Sequence, residues 1–387
     1  MTDEPSRRRQ LQELRVAIDS VDSRLLKLLN ERMALAKRVG ELKAGTAIAL
    51  FDPGREEAIC RRLAAASEGP LHESSLRAIY REILAASRLL QYPLQVAFPG
   101  PPWTFAQVAA VSLFGHSARY LPLATLEEVF AALVKGRVHV ALVPVENSLE
   151  GGVGRSLDLL HEQPVQVVRE CYLEISHCLA SRAGALDRIE RLYAQPQAIA
   201  QCRRWILEHL PRAEWRECPS TAQAAQLARQ DPHGAALCNL YAAHHYGLEA
   251  LQEALEDQPG NVTRFFALGR DPNPPTGCDK SSILFGVRDQ PGALHCALAP
   301  LTRFQLNMTR IESRPNRLLP WQYLFYADIE GHRDDPDIRA ALDALREQVA
   351  FFKVLGSYPK SDPLRPIRFD REKVRDHGLN PGSEPGA

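Results

Sequence analysis

An apolar stripe near the start of this chain constrains its fold more than any other feature. Leu11, Leu14, Ile18, Val21, Leu25, Leu28, Leu35, Val39 and Leu42 follow 3-4 spacing without a slip. A seam of some four heptads specifies one long helix with a single adhesive face. At the standard rise the stripe runs about 48 Å, too long to be buried alone. It requires a partner helix, most simply the same helix of a second chain, so a homodimer is expected. One slot of the seam is Arg32. A buried, unpaired guanidinium costs several kcal/mol, roughly, so Arg32 has to snorkel, pair with a core carboxylate or meet a fixed anion.

Its neighbours favour the anion. Lys43 lies eleven residues on, about 20° around the helix, and shares a face with Arg32; Arg15 sits about 100° off and could reach a site on a paired chain. Asp52-Pro53-Gly54-Arg55-Glu56 follows. Asp52 suits an N-cap and Pro53 the first helical position, which puts Arg55 and Glu56 in the opening turn. Ser87 and Gln91 are one turn apart on a later helix.

These eight positions, in this order, resemble the all-helical chorismate mutases over residues 8 to 92. The resemblance implies that Arg15 (from the partner chain), Arg32 and Arg55 hold the substrate carboxylates. Lys43 and Gln91 would bond the ether oxygen, Glu56 the ring hydroxyl, with Asp52 and Ser87 supporting. The rearrangement of chorismate is pericyclic, so positioning and electrostatic stabilisation suffice.

The rest of the 387 residues alternates short apolar runs with helical patterns, which means further domains. Lys and Arg total 47, as do Asp and Glu, which argues against a nucleic-acid binder. No signal-like or membrane-length apolar run stands out, so a cytoplasmic protein off the membrane is expected. The eight cysteines show no CxxC or zinc-like spacing and read as reduced core thiols. No metal or other cofactor is expected.

In the central part, a strand at 95 to 98 runs into Gly100-Pro101-Pro102-Trp103-Thr104-Phe105 and a helix that Thr104 could cap. A second strand, 138 to 145, ends at Glu146-Asn147-Ser148, before Gly151-Gly152. Polar groups just past strand ends are where open α/β sheets bind ligands, although a turn with a helix cap explains this triplet equally. Gln195-Pro196-Gln197 with Gln201, Ser220-Thr221-Ala222 and Asn261-Val262-Thr263-Arg264-Phe265 each adjoin an apolar run. His177, beside Cys178, reads as structural.

Residues 94 to 270 resemble prephenate dehydratase, most specifically in VPVENSLEGGV and NVTRF. The resemblance implies two α/β lobes around a cleft. Thr263 would stand at the leaving hydroxyl, Asn147 and Gln201 would hold prephenate, and Arg264 would anchor a carboxylate or brace the cleft. Three departures from the family pattern stand out. Trp103 replaces a Gly, Ala106 a hydroxyl residue, and Ala194-Gln195 a Ser-His pair; Trp103 could fill part of the cleft mouth. A mutase with a weakened dehydratase is therefore the rival enzyme reading. A ligand sensor is the rival of another class, opposed by the intact Thr263-Arg264-Phe265.

The stretch 270 to 280 reads as a linker. Strands at 281 to 287, 307 to 314, 321 to 329 and 349 to 358, with helices at about 292 to 303 and 336 to 347, give βαββαβ, the ferredoxin-like pattern. GALH at Gly292 to His295 and ESRP at Glu312 to Pro315 resemble an ACT domain of the phenylalanine-sensing type, spanning 280 to 359. The resemblance implies L-phenylalanine bound between two chains, near Gly292, Ala293, Leu294, Leu306, Asn307, Glu312, Ser313 and Arg314. Residues 360 to 387 read as a mobile tail. Together the segments resemble a bifunctional chorismate mutase–prephenate dehydratase, taking chorismate through prephenate to phenylpyruvate under inhibition by L-phenylalanine.

Overall fold

The computed structural model describes residues 4–43, 52–315 and 323–368. The chain divides into two compact units. The first comprises 1–52, 60–94 and 114–118, and the second 53–59, 95–113 and 119–387.

Three helices open the chain: α1 (Glu4–Lys43), α2 (Pro53–Ala65) and α3 (Glu73–Gln91). In the first unit α1 packs on α3. Gly40 permits the approach, since a Cβ there would fall 2.8 Å from the Gln91 Cα. A helical glycine costs about 1 kcal/mol, so its use marks a contact that no side chain could share. The heptad stripe of α1 is left open in the single chain: Leu14 is 62 % exposed, Leu28 61 % and Leu42 78 %.

The second unit contains three sheets. The first is built from β1 (Gln95–Pro99), β2 (Arg119–Leu123), β3 (Val140–Asn147), β4 (Gly151–Gly152), β5 (Gln166–Glu174) and, much later in the chain, β11 (Val262–Gly269). Its order is β2-β1-β3-β11-β5, with β4 hung on β3. Helices α4 (Phe105–Phe114), α5 (Leu126–Val134) and α6 (Gly154–Glu162) belong to it. Leu133, Leu157, Leu160 and Phe266 close its core. Thr125 caps α5 by accepting from the Glu128 N–H at 3.2 Å. The side chain of Glu128 returns to the Ala124 N–H at 3.0 Å. Two otherwise orphaned donors are satisfied in this way.

Between β5 and β11 the chain builds the second sheet from β6 (Cys178–Ser181), β7 (Arg191–Ala194), β8 (Glu214–Glu217), β9 (Gly234–Cys238) and β10 (Glu249–Glu253), in the order β10-β6-β9-β7-β8. Helices α7 (Pro196–Gln201), α8 (Arg203–His209), α9 (Thr221–Gln230) and α10 (Leu240–His245) pack here. Small side chains let α9 lie close to the strands: Ala224, Ala225 and Ala228 are fully buried.

The third sheet has β12 (Asp279–Gly286), β13 (Met308–Pro315), β14 (Tyr323–Glu330) and β15 (Phe351–Pro359), with α11 (Ala293–Arg303) and α12 (Pro336–Gln348). The element order is the βαββαβ read from the sequence. All neighbours are antiparallel, in the order β13-β14-β12-β15. One face packs on α11 and α12 through Ile283, Phe285, Ala297 and Leu342. The other joins the core of the first sheet through Leu284, Tyr326, Leu355 and Tyr358.

Two expectations need correction. The stretch 270 to 280 is no loose linker, because Asn273 is buried and its side-chain amide donates to the Val168 carbonyl at 2.7 Å. Nor is the whole C-terminal stretch free. Ser361 donates from its backbone and side chain to Glu170, and Ile367 bridges Leu173 at the edge of β5. Residues 369 to 387 of that stretch lie outside the described residues.

Glu170 is the hub of this docking. Fully buried, it accepts from Arg264 Nε at 2.9 Å and Nη2 at 2.6 Å, and from Lys280 Nζ at 2.8 Å. Removing one partner of a buried ionic set strands the rest, at about 3–5 kcal/mol. Glu170→Ala is expected to lower the unfolding free energy by that amount, seen as a lower denaturation midpoint. An unchanged midpoint would show that solvent enters the cluster.

Candidate active sites

In the first unit Arg32 meets α3, where its guanidinium donates to the buried Ser87 hydroxyl. Ser87 in turn donates to the Ile83 carbonyl at 2.7 Å, so it accepts from Arg32 and is held in place. Gln91 lies one turn on from Ser87, against Gly40. Lys43 is three residues beyond Gly40, on the same face of α1. Arg32, Ser87, Gln91 and Lys43 therefore mark out one α1–α3 seam. Arg15 is exposed on α1. Asp52 immediately precedes α2, whose first residue is Pro53 as expected. Within the second unit Arg55 is exposed, and the Glu56 carboxylate stands 3.9 Å from the Arg169 guanidinium.

The second unit holds a cavity of about 290 Å³ lined from both of its first two sheets. Thr263, at the start of β11, pairs across strands with Asn147, at the end of β3. The Asn147 amide donates to Thr263 Oγ1 at 3.0 Å and to Asn261 Oδ1 at 2.7 Å. Its own oxygen accepts from the backbone N–H groups of Leu149 and Glu150, at 3.0 and 3.2 Å. Of the 146–148 triplet, Asn147 closes a turn and lines the cavity, while α6 begins later, with Val153 as its N-cap and no side-chain cap. Because Thr263 Oγ1 accepts from Asn147, its own proton can point into the cavity.

Gln201 lines the cavity, and His177, which the sequence reads as structural, stands beside it on the same wall. Gln201 donates to Glu150 at 3.4 Å, which leaves its oxygen for His177 Nε2 at 3.1 Å. Burial pushes the His177 imidazole down to about 4, and the bond to Gln201 offsets this only in part. His177 is therefore neutral at pH 7, with Nε2 the protonated nitrogen. The available signal was position, for His177 lies in the connector between β5 and β6.

Thr104 also lines the cavity. Its carbonyl accepts the first bond of α4, from Val108 at 3.1 Å. The expected side-chain cap is not made: Oγ1 is buried without a partner. Trp103 does not line the cavity. It stacks on His245, ring centroids 4.5 Å apart, with its backbone in the left-handed region at φ 69°. That conformation suits the glycine that the family pattern has there. Ala106 and Gln195 do line the cavity, so two of the three departures fall on its wall.

Arg264 lies elsewhere. It follows Thr263 on the strand and faces the opposite way. Its guanidinium is held by Glu170 and by Asp328 at 2.6 Å, and is nearly fully buried. Burial would raise the Asp328 carboxyl, but Arg264, the Ser282 hydroxyl, Arg310 and Lys280 together outweigh it and hold that group below the ordinary range. Of the two roles expected for Arg264, bracing fits this placement and carboxylate anchoring does not. No Lys or Arg lines the cavity among the described residues. Instead the N-termini of α4, α7 and α9 abut it, at Thr104, Gln195 and Ser220.

In the third sheet Gly292 is the N-cap of α11, in the left-handed region at φ 77°. Gly292 and Asn307 are exposed, Ala293 is buried, and Leu294 and Leu306 are half-buried. The ESRP segment is split by strand alternation. Ser313 pairs with Phe325, on the face covered by the helices, while Glu312 and Arg314 pair with Tyr326 and Leu324, on the face joined to the first sheet. Within the single chain Glu312 and Arg314 therefore lie on another face from the Gly292 group. They lie on Gly152 and Gly154.

Among the described residues no His, Cys, Asp or Glu cluster could hold a metal, and no helix is long and apolar enough to cross a membrane. All eight cysteines are free thiols.

Three family models match in order: chorismate mutase type II at 14–92, prephenate dehydratase at 96–273 and the ACT domain at 281–347. A bifunctional chorismate mutase/prephenate dehydratase of Aquifex aeolicus is 39% identical over 356 residues, covering 91% of this chain and 98% of that protein. The solved prephenate dehydratase of Arthrobacter aurescens in complex with L-Phe is 34% identical, with a TM-score of 0.64, over 71% of this chain and 92% of that one. A structure described as GqqA, a novel type of quorum quenching acylases, is 33% identical with the same TM-score, over 70% of this chain and all of that one. Helical first segment, cavity-bearing second and βαββαβ third thus agree with the matched models in kind and order, and the chain belongs to the family of bifunctional chorismate mutase/prephenate dehydratases.

Proposed function

We propose that this enzyme converts prephenate to phenylpyruvate in the cavity between its first two sheets, with Thr263 at the departing hydroxyl. The observation that carries this reading is the Asn147–Thr263 hydrogen bond at 3.0 Å. In the reaction the electrons of the breaking bond to the carboxylate enter the ring, carbon dioxide leaves, and the ring hydroxyl departs as water after gaining a proton. A hydrogen bond from Thr263 to that hydroxyl stabilises the charge growing on it. Asn147, with both amide protons and its oxygen engaged, holds Thr263 in place. Prephenate is a dianion, and backbone N–H groups at the starts of α4 and α9 offer it positive charge that no cavity-lining side chain among the described residues supplies. Gln201 completes the substrate contacts, and Asn147 acts on the substrate through Thr263.

Chorismate is rearranged in the helical domain of residues 8 to 92. Arg32 and Arg55 bind carboxylates there, Lys43 and Gln91 the ether oxygen, and Glu56 the ring hydroxyl, with Asp52 and Ser87 in support. Arg15 serves the site of a second copy, because the open stripe of α1 fits its own counterpart in a homodimer. The protein works in the cytoplasm, off the membrane and without nucleic acid or cofactor. Dimerisation is tested by sedimentation of the full chain. We expect a dimer, and a monomer lacking mutase activity after Val21→Glu with Leu25→Glu. A fully active monomeric variant would refute the shared site.

The third domain, 280 to 359, binds L-phenylalanine through the free N–H groups at the start of α11. Leu294, Leu306, Asn307 and Ser313 complete its surroundings. Binding inhibits only if the inactive arrangement is preferred. At Gly292 a valine would be strained by the positive φ and would crowd the ligand, so Gly292→Val is expected to raise the inhibitory phenylalanine concentration at least about tenfold. Unchanged inhibition of that variant would place the ligand elsewhere. The function as a whole is tested by phenylpyruvate release from prephenate, with and without phenylalanine. Absence of turnover would leave the mutase alone.

A further inference from the structure

Two neighbouring cross-strand pairs, Asn147–Thr263 and Glu146–Arg264, sit on the same two strands. Successive strand residues point to opposite faces. The first pair therefore faces the cavity and the second faces the third sheet. Just before them the register jumps from Glu146 to Pro144 on β3, leaving Val145 unpaired. Such a bulge bends its strand and re-aims the residues beside it. The end of β3 is thus re-aimed while still paired with β11 and β4, and contacts from a further strand add to these in fixing it.

Those contacts come from β13. Glu146 Oε2 is 3.0 Å from Arg310 Nε and 3.6 Å from the Arg264 guanidinium. Arg264 is already engaged by Glu170 and Asp328, so Arg310 is the closer cation on Glu146. Arg310 is itself paired with Glu312. Further along the same face of β13, Glu312 lies against Gly152 and Arg314 against Gly154, where an added Cβ would fall 2.1 and 2.5 Å from their side chains. One row of β13 therefore grips both ends of the turn that Asn147 closes.

We propose that Arg310 is a positioning residue of the dehydration site, acting through Glu146 on the strand end that carries Asn147 and so on the hydroxyl of Thr263. A reacting group displaced by even about half an ångström loses much of its effect. The proposal rests on the reading of Thr263 given above.

The test uses the full chain with Arg310→Gln, Glu146→Gln, the double substitution and Arg310→Lys. Arg310→Gln is expected to lower kcat for prephenate about tenfold, with KM changed less than about twofold and the rate with chorismate unchanged. Glu146→Gln should do the same, the double variant should be no worse than the poorer single one, and Arg310→Lys should recover most of the rate. A merely structural tie would shift the melting temperature and leave kcat per folded site alone. Wild-type kcat in Arg310→Gln, additive losses in the double variant, or no recovery with Lys would each overturn the proposal. Should Arg310→Gln fail to fold, a wild-type kcat in the near-isosteric Glu146→Gln would overturn it equally. If Thr263→Val kept the wild-type rate while Arg310→Gln lost it, the Thr263 reading would fail and the Arg310–Glu146 link would stand.

Discussion

Thr263→Val is expected to lower dehydration of prephenate by about a hundredfold or more, while the rate with chorismate stays within about twofold. Valine keeps the branched shape of threonine and removes only the hydroxyl. A hundredfold loss corresponds to about 2.7 kcal/mol of lost transition-state stabilisation, within the range for one preorganised donor. The Asn147 amide would also lose an acceptor, since it donates to Thr263 Oγ1 at 3.0 Å. Its second bond, to Asn261 at 2.7 Å, remains and should keep the wall of the cavity in shape. Steady-state rates with supplied prephenate decide the matter. A variant within threefold of wild type would remove the hydroxyl from the mechanism.

Lys43→Ala is expected to have a comparable effect on the other reaction. Bond breaking in chorismate places negative charge on the ether oxygen, and an ammonium group beside it acts mainly in the transition state. Loss of about a hundredfold or more in kcat for chorismate should follow, with dehydration of supplied prephenate unchanged. The end of α1 tolerates alanine, a strong helix former, so the substitution should leave the helix intact. If both activities fell together in a folded variant, the model of separate sites would be wrong.

Much of the architecture could be read from local patterns. The unbroken 3-4 stripe gives one helix, and the structure has α1 running through it for 40 residues. The alternation after residue 280 gives βαββαβ because each element carries its own period. Asn147 and Thr263 were legible as polar residues at the ends of apolar runs, and β3 and β11 bring them side by side. What the sequence hid depends on which way a side chain faces once strands are paired. Arg264 follows Thr263 directly, yet alternation turns it from the cavity into a cluster with Glu170 and Asp328. The same alternation splits ESRP between two faces of its sheet. Trp103 carries no local sign of its ring partner His245, which comes from far along the chain. The absence of a cation from the described cavity lining was illegible for a related reason. The helix starts that replace it converge only after both sheets have formed.

The central claim is that one chain performs two consecutive reactions at two sites. The most direct measurement is a time course of the purified wild-type chain supplied with chorismate alone, with chorismate, prephenate and phenylpyruvate separated and quantified. Chorismate should fall, prephenate and phenylpyruvate together should equal the chorismate lost, and phenylpyruvate should be the product that accumulates to the end. With Thr263→Val the same course should stop at prephenate. Chorismate left unconsumed, or prephenate accumulating without phenylpyruvate in the wild-type protein, would contradict that claim.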